Sequence, residues 1–312
     1  MSFLTPYRET GAILDEIRDG RSGAAVFRLR DGKIAKHIQR IPLADDALWE
    51  TFVRESRFYD AVSAERYPFL PQIFENRRNH NEILLVMRQY TPLAREALTH
   101  ACLCRIVGAL AALHRMPLSA CSAAADGNTP VSADDAVLAR CLEGWRSVLA
   151  EHGTDPDQTR LPEIAVRFND ISRAHHDARR CFTHGDFHIG NILLNEDAQP
   201  VFCDFQSCGV GTRAGDLAFF LSRLQADSCC RLADGAPLDT DTVLALYCDA
   251  ASCAGDSVTP LEIRTQMCLS DFRTAFLFWH DYLHGSDTTR VLGIFRKMED
   301  DFRFLADSMP TG

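Results

Sequence analysis

Apolar and polar side chains alternate over residues 24–30, where Phe27 and Leu29 face away from Arg28 and Arg30, as in a half-buried strand. Asp31-Gly32 then forms a two-residue hairpin turn, and residues 33–38 return as the partner strand. Counting by twos puts Ile34, Lys36 and Ile38 on one face and Lys33, Ala35 and His37 on the other. Lys36 therefore shares the isoleucine face, where an ammonium needs a carboxylate or phosphate partner. Lys33 sits beside the turn, in solvent. Over residues 45–64 the period lengthens to that of a helix, with Leu48, Phe52, Glu55, Tyr59 and Val62 in one stripe. Glu55 is the only charge in that stripe, so a Lys36–Glu55 pair is expected. Residues 83–87 are a continuous apolar run fit for a buried strand, which Pro92 brings to a stop.

Helical spacing returns at Leu103, Ile106, Val107, Leu110 and Leu113, a buried helix over residues 102–114. His114 at its end is expected to be a packed, hydrogen-bonded core residue. Helices are also expected over 137–151 and 162–180, with His175 and His176 on the surface of the second, and a small-residue loop over 120–135. Residues 192–194 read as a short strand, 195–199 as a polar turn and 200–203 as the returning strand. Such a hairpin sets Asn191 and Asp204 side by side, with Asp186 at its mouth. Residues 209–215 read as a mobile, glycine-rich segment, and Asp216 as the cap of an apolar helix. The last hundred residues are helical in pattern, over 242–251, 260–279 and beyond, and include Phe278, Trp279, Asp281 and Tyr282.

Composition narrows the class. Hydrophobic residues make up 46% and charged residues 24% of 312 positions, which excludes disorder and allows two lobes or one large α/β unit. The first twenty residues lack a basic start followed by an apolar run, and no segment reaches the length of a membrane span. No membrane partner is expected, and the expected location is cytoplasmic. Twelve scattered cysteines without zinc-finger spacing are expected to be reduced thiols. A net charge of −10 repels phosphate backbones, so no nucleic-acid partner is expected, and a cationic or neutral small-molecule acceptor suits it better. The only lysines are Lys33, Lys36 and Lys297 among many arginines, which marks Lys36 as a position needing a compact ammonium. Nothing in the sequence sets an oligomeric state.

Candidate chemistry gathers between Cys181 and Phe220. Asp186 stands five residues before Asn191, and Asp204 follows the hairpin's second strand. Two carboxylates and an amide oxygen are hard donors suited to Mg2+ and a nucleotide's phosphates. Phosphoryl transfer asks for the same parts: an Asp to receive the acceptor's proton, an Asn and a second Asp for the metal. It also asks for a strand Lys paired with a helix Glu on the α- and β-phosphates. Gly185 stands where protein kinases have Arg, and Gln206 where they have Gly.

The His184-Gly185-Asp186, Asn191 and Asp204 pattern resembles the aminoglycoside phosphotransferase-like (choline kinase-like) small-molecule kinases. The resemblance implies an α+β, bilobal, protein-kinase-like fold. Residues 1–90 would form a nucleotide-binding lobe, a small antiparallel sheet with one main helix. Residues 91–312 would form a larger, mostly helical lobe for catalysis and acceptor binding. The implied cofactors are ATP and Mg2+. Lys36, Glu55, Ser22 and Gly23, with Arg88 and Tyr90 at an interlobe hinge, would serve the nucleotide; Asn191 and Asp204 would hold the metal. Asp186 would be the catalytic residue, with His184 and Asp216 bracing its loop. The expected acceptor is an aminoglycoside or amino sugar, with Trp279, Asp281 and Tyr282 as candidate contacts. The Asp204-Phe205-Gln206 triplet and residues 291–307 also look similar to cell-wall amino-sugar kinases of the N-acetylmuramate type, which phosphorylate an anomeric hydroxyl. Those enzymes usually carry Arg where Gly185 stands. The pattern is also compatible with a choline-type metabolite kinase and with a silent nucleotide-binding pseudokinase. The pseudokinase would lack one of Lys36, Glu55, Asp186, Asn191 or Asp204, and none is missing.

Overall fold

A computed structural model describes residues 2–17, 23–43, 45–118, 132–175, 179–225 and 231–309. The chain divides into two compact units, residues 1–127 with 180–257 and residues 128–179 with 258–312. Tyr90 lies inside the first.

The first unit contains a five-stranded antiparallel sheet. Its strands are β1 (Ile13–Ile17), β2 (Ala25–Leu29), β3 (Lys33–Gln39), β4 (Ile73–Arg78) and β5 (Glu82–Arg88), in the order β1-β2-β3-β5-β4. The turn between β2 and β3 is not the two-residue hairpin expected: Arg28 pairs with Ile34, which leaves a three-residue loop, Arg30-Asp31-Gly32. In it the Gly32 N–H donates to the Leu29 carbonyl at 3.2 Å, and Gly32 alone is left-handed (φ 75°). In β3, Lys36 is paired with Val26 on one side and Leu85 on the other. That register decides which way each side chain points. Ala35 joins Leu4, Phe27, Leu29, Leu84 and Val86 in a core cluster, while Lys36 turns to the opposite face. Strand β5 is buried at six of its seven positions, as its unbroken apolar run predicts. The edge strands β1 and β4 escape hydrophobic pattern reading because none of their positions is fully buried, so neither shows an apolar face.

The helix Asp46–Ala61 starts at Asp45, whose side chain accepts the N–H groups of Ala47 and Leu48. Its buried face is Trp49, Phe52, Val53, Glu55, Ser56, Phe58 and Tyr59. The stripe is thus rotated from the one expected. Trp49 takes the place assigned to Leu48, and Val62 has already left the helix in an extended conformation.

Five further strands make two small sheets: β6 (Thr91–Pro92), β7 (Arg180–Thr183), β8 (Ile192–Leu194), β9 (Pro200–Phe202) and β10 (Gly209–Thr212). The order β6-β8-β9 puts Pro92 in an edge strand, where a missing N–H costs no ladder bond. β7 pairs with β10, and this corrects two expectations. The helix expected over 162–180 is Leu161–Ala174, and Arg180–Thr183 is a strand. The segment read as mobile is β10 followed by the start of helix Arg213–Gln225. A Cβ on Gly211 would lie 2.8 Å from Thr183 Oγ1, so that glycine serves close strand approach and not mobility. Helices His100–Leu113 and Thr240–Cys253 complete the main helices of this unit.

The second unit is helical. It comprises Asp135–Glu151, Leu161–Ala174, Pro260–Thr274 and Thr288–Asp307; the third of these runs on through a widened π turn, Ala275–Trp279, into His280–Leu283. Their apolar faces meet in one core containing Trp145, Phe168, Phe272, Phe276 and Phe302, all fully buried. His175, expected at the surface, is buried and donates from Nε2 to the Leu305 carbonyl at 2.9 Å. His176 and most of the 120–135 loop lie outside the described residues. Cys102, Cys104, Cys141, Cys203, Cys253 and Cys268 are free thiols. No helix among them is long and apolar enough to cross a membrane.

Candidate active site

Strand β3 and the Asp46–Ala61 helix bring the first pair together. Lys36 Nζ donates to Glu55 Oε2 at 2.7 Å and to Asp204 Oδ1 at 2.8 Å, although Asp204 is 168 positions further along the chain. Lys36 is 9% exposed and Glu55 1%. Burial alone would lower the ammonium's pKa, but the two carboxylates outweigh it and hold the group above its ordinary value. Burial works to raise Glu55, against the pull of that same ammonium. Burial also works to raise Asp204, yet the adjacent Lys36 charge and its hydrogen bond bring it below the usual carboxylate value.

The hairpin of β8 and β9 sets the next pair. Ile192 pairs with Phe202, and the Cys203 N–H donates to the Asn191 carbonyl at 3.0 Å, so Asn191 and Asp204 flank its open end. Asn191 Nδ2 donates to the Asp186 carbonyl at 2.9 Å and to Asp186 Oδ2 at 3.1 Å. Those two acceptors fix the amide's orientation and direct its oxygen elsewhere. His188, passed over in the sequence, places Nε2 3.6 Å from Asp186 Oδ2. Its position two residues after the Asp of the motif was the available signal.

The loop carrying Asp186 is braced from below. Asp216 accepts the N–H of His184 at 2.8 Å, the N–H of Gly185 at 2.8 Å and His114 Nε2 at 3.1 Å. The Tyr247 hydroxyl donates to His114 Nδ1 at 2.7 Å, which fixes the imidazole tautomer. Asp216 is therefore not the helix cap its position suggested. It lies in the first turn of Arg213–Gln225, and its carboxylate is given to the loop. Burial works to raise it, but the hydrogen bond and charge of His114, with His184 behind, hold it below its ordinary value. His184 Nε2 donates to the Cys203 carbonyl at 2.9 Å, and burial lowers its pKa, keeping the ring neutral. Gly185 has φ 81°, and a Cβ there would lie 2.1 Å from the Ser207 carbonyl oxygen.

Of the nucleotide candidates, Gly23 is left-handed at φ 77°, and Ser22 lies outside the described residues. Arg88 is exposed and pairs with Glu196 at 3.2 Å; the Tyr90 hydroxyl accepts the Gln72 N–H at 3.0 Å. In the second unit, Trp279 packs partly against the helical core, whereas Asp281 and Tyr282 are exposed. The three do not converge: Asp281 Oδ1 is 3.1 Å from His280 Nδ1, and Tyr282 stands with Phe278 in solvent.

Asn191 and Asp204 offer two oxygen donors, and among the described residues no group of three or more His, Cys, Asp or Glu could hold a metal. That donor set fits Mg2+, which takes one or two protein ligands and fills its octahedron with water and phosphate oxygens. It does not fit a zinc site.

The profile of the phosphotransferase enzyme family matches residues 14–240. No curated protein matches the chain by sequence. Among solved structures, the chain is similar to the GDP complex of an aminoglycoside 2′-phosphotransferase-IIIa mutant (12% identity, 96% of this chain and 95% of that chain, TM-score 0.57). It is similar to the apoenzyme of a macrolide 2′-phosphotransferase from Brachybacterium faecium (18% identity, 97% and 96%, TM-score 0.52). A ternary complex of streptomycin and ATP with an aminoglycoside 2″-phosphotransferase is also similar (11% identity, 96% and 96%, TM-score 0.52). At these identities the likeness is one of fold.

Proposed function

This chain belongs to the phosphotransferase enzyme family, and from that premise we propose that it transfers the γ-phosphate of ATP to a hydroxyl of an aminoglycoside or related amino sugar. The observation that carries the reading is the meeting, on one buried ammonium, of a helix carboxylate and the carboxylate that follows β9. Lys36, oriented by Glu55, holds the α- and β-phosphates. Asn191 and Asp204 hold the cation. When bound, Mg2+ neutralises charge on the phosphoryl oxygens. Asp186 orients the acceptor hydroxyl and takes its proton as the new O–P bond forms. His184 and Asp216 keep the loop in place for that transfer. Residues 1–90, with Gly23, Arg88 and Tyr90, serve the nucleotide; residues 91–312 serve catalysis and the acceptor, with Asp281 and Tyr282 as exposed candidates for contact.

Three facts support the acceptor class. The net charge of −10 favours a polycation. Two of the similar structures are named for aminoglycosides and one of them holds streptomycin with ATP. Gly185 has no room for the arginine that anomeric amino-sugar kinases usually carry, because the Ser207 carbonyl stands where a Cβ would be. The free thiols suit a reducing, cytoplasmic setting.

The test is ATP consumption against a panel of aminoglycosides, amino sugars and choline. Turnover on an aminoglycoside or amino sugar is expected, falling by about 10²–10⁴ in Asp186→Asn with ATP binding retained. Tight Mg-ATP binding without turnover on any acceptor would reject the reading in favour of a silent nucleotide-binding module.

A further inference from the structure

The turn after Asp204 is held from several sides, and the phosphotransfer chemistry uses none of its polar atoms. Asp204 itself is left-handed (φ 67°, ψ 60°), a disfavoured conformation for a residue with a Cβ, so its surroundings must keep it there. The Phe205 ring lies 4.5 Å from Phe58 and 4.5 Å from the His184 ring. Gln206 comes next, at the position where protein kinases have glycine. Its main-chain oxygen accepts from Arg54 Nη1 at 3.1 Å, and its side-chain Oε1 lies 3.4 Å from Thr51 Oγ1, a long contact to a hydroxyl that donates to the Leu48 carbonyl at 2.7 Å. Its Nε2 donates to Asp204 Oδ1 at 2.5 Å. Thr51 and Arg54 lie on the same helix as Glu55. One residue is thus held at its main chain by the helix that orients Lys36, with its side chain against Thr51 of the same helix, and it donates to the carboxylate of Asp204. The amide is directional: the Asp204 carboxylate can only accept, so the NH2 faces it and the oxygen is left on the Thr51 side.

We propose that Gln206 is a positioning residue that fixes the Asp204 carboxylate for a divalent cation and couples the cation site to the Asp46–Ala61 helix through Thr51 and Arg54. This rests on the phosphotransferase function proposed for the same site. Outer partners of this kind commonly govern metal affinity as strongly as some ligands do.

The test measures binding of Mn2+ in the presence of ADP, by the electron paramagnetic resonance signal of free Mn2+, in the wild-type chain, Gln206→Leu and Thr51→Val. Gln206→Leu is expected to weaken Mn2+ affinity by about 10-fold or more. ADP affinity without metal and the thermal midpoint of the metal-free protein should stay unchanged. Thr51→Val should lose affinity in the same direction, but less. In turnover, the Mg2+ dependence of kcat should move to higher concentration while KM for ATP at saturating Mg2+ holds. Equal Mn2+ affinity in wild type and Gln206→Leu overturns the inference. If Gln206→Leu fails to fold, unchanged Mn2+ affinity in Thr51→Val overturns it instead. A wild-type chain that binds no Mn2+ with ADP defeats the phosphotransferase mechanism itself, and this inference with it.

Discussion

At Gly185 a single hydrogen atom keeps the motif loop in contact with the turn after Asp204. The position combines φ 81° with a carbonyl oxygen 2.1 Å from where a methyl would sit. Gly32 has nearly the same φ, 75°, but open space around it. The two glycines therefore separate backbone strain from collision. Gly32→Ala should cost about 1–2 kcal/mol from the left-handed backbone alone. Gly185→Ala should cost about 3 kcal/mol or more, because strain and overpacking add at a main-chain atom that cannot swing away. Urea midpoints of the two variants measure the difference, and equal costs would mean that the loop yields. Lys36 is the other residue whose meaning is set by its neighbours. With its ammonium between two carboxylates it stays charged, whereas burial alone would favour the neutral amine.

Among elements, the brace beneath the motif loop joins three pieces of chain: the end of His100–Leu113, the start of Arg213–Gln225 and the residues after β7. Asp216 is the centre of it, accepting from two main-chain N–H groups and from His114. Its folded pKa is depressed, so its contribution is fully present above the unfolded carboxylate value and is lost as pH falls through the folded one. Asp216→Asn should cost about 3 kcal/mol at neutral pH, since an amide presents an NH2 to donors that need an acceptor. The deficit should begin to shrink as pH drops below about 4, where the carboxylate of the unfolded chain takes up its proton, and should vanish only at lower pH, where the folded carboxylate is protonated as well. Denaturation at pH 7 and at successively lower pH checks this. A deficit that stays constant with pH would mean that packing, not charge, is what Asp216 supplies.

In the molecule as a whole, the side chains assigned to nucleotide and metal all lie in the first compact unit, while the helical core around Trp145, Phe168, Phe272 and Phe302 lies in the second. Stability and binding should therefore separate. Phe272 is fully buried, 5.4 Å from Phe168 and 6.1 Å from Phe302 between ring centres. Phe272→Ala should cost about 3–5 kcal/mol through lost burial and the cavity left behind. Calorimetry reports that loss, and nucleotide titration of the folded variant should give the wild-type affinity. A parallel fall in affinity would show that the aromatic core supports the nucleotide site.

Much of the site was readable from local signals. The spacing of Asp186, Asn191 and Asp204 around a hairpin, the turn at Asp31-Gly32 and the charge of Glu55 inside an apolar stripe all depend on residues close together in the chain. Short-range periodicity and turn chemistry report such relations directly. The family profile and the antiparallel sheet agree with what those signals implied. What required the tertiary structure was each relation between distant positions. Lys36 meets Asp204 across 168 residues, His114 joins Asp216 to Tyr247, and Gln206 answers to Arg54. The same holds where reading failed: His175 is buried because Leu305 offers it a carbonyl, and the glycines of β10 are ordered because Thr183 passes close by. A sequence states which face of an element is apolar and where the chain can turn. Which polar group meets which is set by the packing of elements that the sequence keeps far apart, because burial makes each such group find a partner wherever the fold supplies one.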